Sequence, residues 1–342
     1  MTMTTMTRQD VDVRMRVARW ARRSVGGLAA AGVVAGGCAT ATPSPAPAAP
    51  AATTTTAGPP AGLGRRDDAG VLGPYAAGPL TLRAHRSAEY SAAVNSWLLE
   101  AGTEVALVDA QLVVPEAAKV VELVRATGKK LAWVWISHGH PDHYAGLQAI
   151  AAAFPGVPLY ARPVTAEDGP ALLKKFDAPL QKFFPGEMAS GPVALTPYTQ
   201  PTLKVGDVEV QIVDLQGGEH ASTTMLVIPS QRIALTGDLV YNRVHPWLNE
   251  LDDRGVLAHL DMLEARTDID RFFPGHGAPF EKSYIATYRT YVTDFLAEVP
   301  LAADGNDLIA RMWRRYPDWQ TLAGLRFSAN AYIGARTTKP AP

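Results

Sequence analysis

Apolar and polar positions show a regular pattern from about Gly70 onward. Leu80–Arg86, Ala93–Glu100 and Glu104–Val108 are runs of strand length, the last two joined by a turn at Ala101-Gly102. Pro115 suits a first helical turn and Gly128 a stop. With Ala118, Val121, Leu123 and Val124 between them, a helix is expected over Pro115–Thr127. Leu131–Ile136, reading LAWVWI, is a continuous apolar run and predicts a buried strand. A helix over His143–Ala153, a short strand over Pro158–Ala161 and a helix over Thr165–Phe176 follow. Beyond a proline-rich stretch, strands are expected near Thr202–Val205, Val208–Asp214, Thr224–Ile228 and Arg232–Thr236. Helices are then expected over Gly255–Arg266, Glu281–Glu298 and Asp304–Tyr316. Two strand-rich halves punctuated by helices predict an α/β sandwich, with two stacked mixed sheets and helices outside.

The N-terminal part lacks such a period. Residues 1–23 hold six arginines, Arg8, Arg14, Arg16, Arg19, Arg22 and Arg23, against Asp10 and Asp12. Ser24–Gly37 is uncharged, small and apolar. It falls short of the roughly 20 residues that a membrane span needs. A basic segment, a short apolar one and small residues before a cut site mark a secretory signal, expected over residues 1–37. Cys38, after Ala35-Gly36-Gly37, resembles the lipidated cysteine of a bacterial lipoprotein, with Ala35 where leucine is usual. The alternative is ordinary signal cleavage with Cys38 as a bystander. Arg22-Arg23 resembles a twin-arginine export signal, with Gly26 at the usual hydrophobic position.

From Ala39 to about Gly64, Pro, Ala and Thr dominate. Such a stretch cannot bury enough surface to offset its ordering entropy, so residues 38–69 read as a flexible tether. The expected location is the periplasm or cell envelope, with membrane attachment through lipidated Cys38. Residues 70–280 would form the main domain, and residues 281–342 would add helices to it.

Composition narrows the chemistry. Of 342 residues, 47% are hydrophobic, enough for a substantial core. Thirty-two basic against thirty-three acidic residues give a net charge of −1, which exerts no overall pull on nucleic acid. One cysteine excludes an intramolecular disulfide and a thiolate metal cluster. Any metal must therefore be held by histidine and carboxylate.

Those groups cluster where LAWVWI ends. His138, His140, Asp142 and His143 fall within six residues. Imidazole nitrogen and carboxylate oxygen are the ligands zinc takes without thiolates. On an extended loop His138 and His140 share a side, while Pro141 turns Asp142 and His143 toward an adjacent point. One loop could thus serve two metals.

His-x-His-x-Asp-His after an apolar strand resembles the signature of the metallo-β-lactamase superfamily. Later motifs follow in family order: His220 in Gly217-Gly218-Glu219-His220, Asp238 in Leu235-Thr236-Gly237-Asp238, and His276 in Phe273-Pro274-Gly275-His276-Gly277. The resemblance spans Asn95 to about Gly277 and implies an αββα sandwich. It also implies His138, His140 and His220 on one metal and Asp142, His143 and His276 on the other, bridged by Asp238. The expected cofactor is two Zn2+ per chain, with iron or manganese suited to the same donors. A metal-bound hydroxide would attack the carbonyl of a small-molecule lactone, ester, thioester or β-lactam, with Asp142 among the catalytic groups.

Asp109, at the end of a strand, is a candidate acceptor that fixes a ligand tautomer, or else a turn residue. Tyr241 matches the tyrosine that donates to the substrate carbonyl in lactonases of the superfamily, or else packs. His85, His245 and His259 fit no ligand motif, although His245 near Trp247 could lie on a loop over the pocket. The bridging Asp238 favours glyoxalase-II-like and lactonase-like relatives over class B β-lactamases. β-Lactamase activity is the alternative, a mononuclear iron redox enzyme of the same fold is one of another class, and an inactive binding module is a third.

Overall fold

The structure is a computed structural model that describes Pro59 and residues 62–338. The expected signal peptide, Cys38 and most of the expected tether lie outside the described residues. No helix among the described residues is long and apolar enough to cross a membrane.

One sheet has seven strands in chain order: β1 (Gly70–Ala77), β2 (Leu80–Arg86), β3 (Asn95–Ala101), β4 (Glu104–Val108), β5 (Lys130–Trp135), β6 (Leu159–Ala161) and β7 (Thr196–Pro197). β1 to β4 pair antiparallel and β4 to β7 parallel. The second sheet runs β8 (Thr202–Val205), β9 (Val208–Gln216), β10 (Ser222–Ile228), β11 (Ile233–Gly237), β12 (Arg271–Pro274) and β13 (Phe280–Glu281). Its pairs are antiparallel except β11 with β12.

Successive side chains on a strand point to opposite faces, and the central strands use both. Leu99, Ala106 and Trp135 join Leu226, Leu235 and Phe273 in a core between the sheets. Their chain neighbours Leu98, Leu107 and Val134 face outward, onto α1 (Val114–Ala126), α2 (Pro141–Tyr144), α3 (Leu147–Ala153) and α4 (Pro163–Phe183). On the other sheet Met225, Val227, Ala234 and Phe272 face α5 (Asp253–Ala265), α6 (Tyr284–Glu298), α7 (Gly305–Arg315) and α8 (Leu322–Thr338). The result is the expected αββα sandwich, and the C-terminal helices share the second sheet's core.

Several boundaries differ from expectation for physical reasons. The helix expected over His143–Ala153 is split at Gly146. A Cβ there would collide with the Ala110 carbonyl oxygen, so the chains approach too closely for a side chain. The buried face of α1 is Ala117, Val120, Val121 and Val124, with Ala118 outside. β1 escapes the pattern because it is an edge strand with no fully buried position. The expected tether also ends earlier than Gly70. The Arg65 carbonyl accepts from the Tyr90 amide at 2.9 Å, Asp68 accepts from the Glu89 amide at 2.9 Å, and Arg66 pairs with Glu187 at 2.7 Å.

Candidate metal centre

Strand ends place the site. β5 leads into Ser137 and the loop His138–His143, β11 ends one residue before Asp238, and β12 ends two residues before His276. β11 and β12 are parallel neighbours, so Asp238 and His276 leave the sheet at the same edge. The turn from β9 to β10 carries Glu219 and His220. Asp252, at the start of α5, holds that turn by accepting from the Gly218 amide at 2.8 Å. It caps its own helix by accepting from the Gly255 amide at 3.1 Å.

The donor atoms converge in two groups. Asp142 Oδ2 lies 3.6 Å from His143 Nε2 and 3.3 Å from His276 Nε2. Asp238 Oδ2 lies 3.3 Å from the former and 3.2 Å from the latter. In the other group His138 Nε2 and His140 Nδ1 are 3.1 Å apart, and Glu219 Oε1 is 2.8 Å from His140 Nδ1. Asp238 Oδ2 is 3.9 Å from His138 Nε2, between the groups. Four ligands about 2.1 Å from one zinc lie roughly 3.4 Å from each other, so these spacings fit donors sharing an ion. His220 packs beside the second group, its ring centre 4.7 Å from that of His140 and 5.4 Å from that of His138.

The far nitrogens of the histidines are anchored. His143 Nδ1 donates to Asp109 Oδ2 at 2.8 Å, His220 Nδ1 to the Ser222 carbonyl at 2.8 Å, and His276 Nδ1 to the Ala92 carbonyl at 2.8 Å. His138 Nδ1 lies 3.0 Å from the Ser137 hydroxyl, which donates to Asp109 at 2.9 Å. Such contacts fix ring orientation and tautomer and leave Nε2 for an ion. Asp109 therefore serves as the expected acceptor.

Two buried polar atoms at the centre have no hydrogen-bond partner: His143 Nε2 and Glu219 Oε2. Burial without a partner is costly, and a cation would satisfy both. Burial opposes charge on His143 and His276, yet Asp238 and Asp142 outweigh it. They raise His143 well above the usual range and His276 to about 9. Burial lowers His220 to about 3, aided by the charge of His140. The carboxylates thus hold protons where the donor set could hold metal.

Tyr241 is buried. Its hydroxyl donates to Asp238 Oδ2 at 2.5 Å, and its ring stacks on His276 at 4.8 Å. The phenol is therefore committed to a carboxylate here. His245 is buried rather than placed over the pocket, with Nδ1 2.8 Å from the Tyr291 hydroxyl. Trp247 on the same loop does reach the site, 5.7 Å from the His140 ring. His85 pairs with Glu116 at 2.6 Å in the core. Glu219 lies within the motif that carries His220, yet the spacing of histidines gave no hint of it. Its signal was a carboxylate beside a glycine pair, which reads equally well as an exposed turn.

A family profile described as the metallo-beta-lactamase superfamily matches residues 92–276. The chain belongs to that superfamily. It is 30% identical over 87 residues to a hydroxyacylglutathione hydrolase of Tolumonas auensis, covering 25% of this chain and 32% of that protein. The match therefore spans about a third of that relative's length. A metallo-beta-lactamase family protein of Thermus thermophilus superposes with a TM-score of 0.54 at 19% identity, covering 71% of this chain and 89% of the other. A metallo-beta-lactamase from Pontibacter korlensis gives 0.51 at 17% identity, covering 66% and 99%. These two likenesses concern the fold alone.

Proposed function

We propose that the chain is an exported hydrolase that holds two divalent ions, zinc by its donor chemistry, and cleaves a carbonyl substrate. The substrate class is a lactone, ester, thioester or β-lactam. The observation that carries this reading is the anchoring of His138, His143 and His276 through Nδ1, with each Nε2 within 4 Å of Asp238 Oδ2. His138, His140 and His220 would hold one ion, and Asp142, His143 and His276 the other, with Asp238 between them. Divalent ions held there would supply a nucleophile by lowering the pKa of bound water to about 7, and would polarise the substrate carbonyl.

The chain's own residues prepare that chemistry. Asp109 and Ser137 orient one histidine of each group. Tyr241 donates to Oδ2 of Asp238, the oxygen that lies 3.2–3.9 Å from Nε2 of His276, His143 and His138. Trp247 supplies an apolar wall beside His140. The partial likeness to a hydroxyacylglutathione hydrolase supports hydrolysis at a carbonyl. Export rests on residues 1–37, and membrane attachment on Cys38.

The test is metal content by mass spectrometry on full-length protein purified without added metal. Turnover of nitrocefin, an acyl-homoserine lactone and a thioester is measured beside it. Two zincs and hydrolysis of one substrate are expected; a single iron overturns the reading. Asp238→Ser is expected to lower occupancy of both positions, because two dications lose a shared negative charge. Two tightly bound ions in that variant would remove the bridging role.

A further inference from the structure

We propose, resting on the metallo-hydrolase reading above, that Glu219 is a direct ligand at the first metal position, beside His138, His140 and His220. Its two oxygens face two donors of that position. Oε1 is 2.8 Å from His140 Nδ1 and Oε2 is 3.6 Å from His138 Nε2, while the two nitrogens are 3.1 Å apart. These three groups form a donor triad as tight as Asp142, His143 and His276 at the other position.

The carboxylate is buried, at 5% exposure, and Oε2 has no hydrogen-bond partner. A carboxylate that served only to accept from His140 would leave that oxygen desolvated and unpaired, a costly arrangement. A cation between Glu219, His138 and His140 satisfies it.

The backbone directs Glu219 inward. Asp252 takes the Gly218 amide at 2.8 Å from one side. Gly218 has φ +78°, and a Cβ there would lie 2.9 Å from His259 Nδ1. Only glycine suits that turn, so the peptide that presents Glu219 is locked between α5 and the site. Tyr241 Oη lies 3.4 Å from Glu219 Oε1 and 2.5 Å from Asp238 Oδ2, so one phenol touches a carboxylate from each group.

The centre then carries three carboxylates, Asp142, Asp238 and Glu219. Added oxygen donors favour harder ions, so manganese competes with zinc at the first position better than three imidazoles would allow.

The experiment uses the full-length chain, Glu219→Gln and Glu219→Ala. Metal content is read by mass spectrometry, affinity by chelator competition and ligand number by the visible spectrum of the cobalt(II) form. Gln keeps the volume and an acceptor for His140 but removes the charge. The expected result is a tenfold or greater loss of affinity at one position, larger for manganese than for zinc. The cobalt band should also change in both variants while circular dichroism stays native. A smaller loss, or an unchanged cobalt spectrum in Glu219→Ala with two ions bound, overturns the assignment. Unaltered protein that binds no metal overturns the metallo-hydrolase reading itself, a result separable from failure at Glu219.

Discussion

Asp109 Oδ2 accepts a hydrogen bond from His143 Nδ1 at 2.8 Å, and the same carboxylate holds the residue that supports His138. Its oxygens accept from the Ser137 amide at 2.8 Å and the Ser137 hydroxyl at 2.9 Å. One side chain at the end of β4 therefore sets rings in both donor groups. Asp109 itself has φ +65°, a left-handed conformation that asparagine tolerates well. Asp109→Asn adds no backbone strain and removes a charged acceptor. We expect metal affinity to fall about 10–100-fold, with native circular dichroism. Chelator competition measures it, and unchanged affinity would show that His143 is oriented without Asp109.

The sandwich and most of the centre were legible in the sequence because strand ends and histidines coincide there. LAWVWI had to be buried on both faces, so the polar loop after it, Ser137–His143, had to sit at a sheet edge. His220, Asp238 and His276 follow apolar runs or glycine turns in the same manner. Glu219 was not legible, since its role depends on a turn pinned by Asp252, thirty-three residues later. His245 was misplaced for a related reason: the C-terminal helices that bury it have no local mark in its own loop. β1 and α8 lack a clean period, because an edge strand and a helix packed on several neighbours need none.

Residues Leu63–Ala69 belong to the domain by their contacts with Tyr90, Glu89 and Glu187. Leu63 and Ala69 also pack against the core of the first sheet. A chain shortened to begin at Gly62 should keep the full melting temperature. One beginning at Gly70 loses those amide and carboxylate contacts, about 1 kcal/mol, and should melt roughly 2–4 °C lower. Calorimetry compares the two; equal melting temperatures would show that the segment rides on the domain without stabilising it.

His245 predicts part of the acid sensitivity. Burial lowers its pKa to about 3, against about 6.5 in an unfolded chain. Between those values the unfolded chain holds the proton and the native one does not. Stability from this group is therefore complete above about pH 6.5 and is lost as pH falls toward 3. From pH 6.5 to 5 the loss is about 2 kcal/mol. In chelator-treated protein, His245→Gln should flatten the acid limb of urea-unfolding stability by that amount. An unchanged slope would assign the sensitivity to the other histidines.

Gly275 tests how tightly the fold determines Asp238. Its amide donates to the Gly237 carbonyl at 2.7 Å, and its carbonyl accepts from the Asn95 amide at 2.7 Å, so the backbone is held from two strands. Its φ lies outside the left-handed region, so alanine meets no conformational penalty there. The obstacle is space. A Cβ would collide with Asp238 Oδ1 and lie 3.0 Å from His143 Cε1. Asp238 cannot yield freely, since Tyr241 holds Oδ2 at 2.5 Å and His276 Nε2 lies 3.2 Å away. Gly275→Ala must rotate the carboxylate or shift β12, at about 1–3 kcal/mol for an overpacked site. Either response moves Asp238 from between the donor groups. We expect metal content to drop and turnover to fall at least about 100-fold, because a displacement near 1 Å costs that much at a reacting centre. The melting temperature should drop only modestly. If Asp238→Ser is combined with Gly275→Ala, the second change should add little, because both act on one carboxylate. Full metal content with additive losses would place the damage elsewhere and release Asp238 from the role assigned to it.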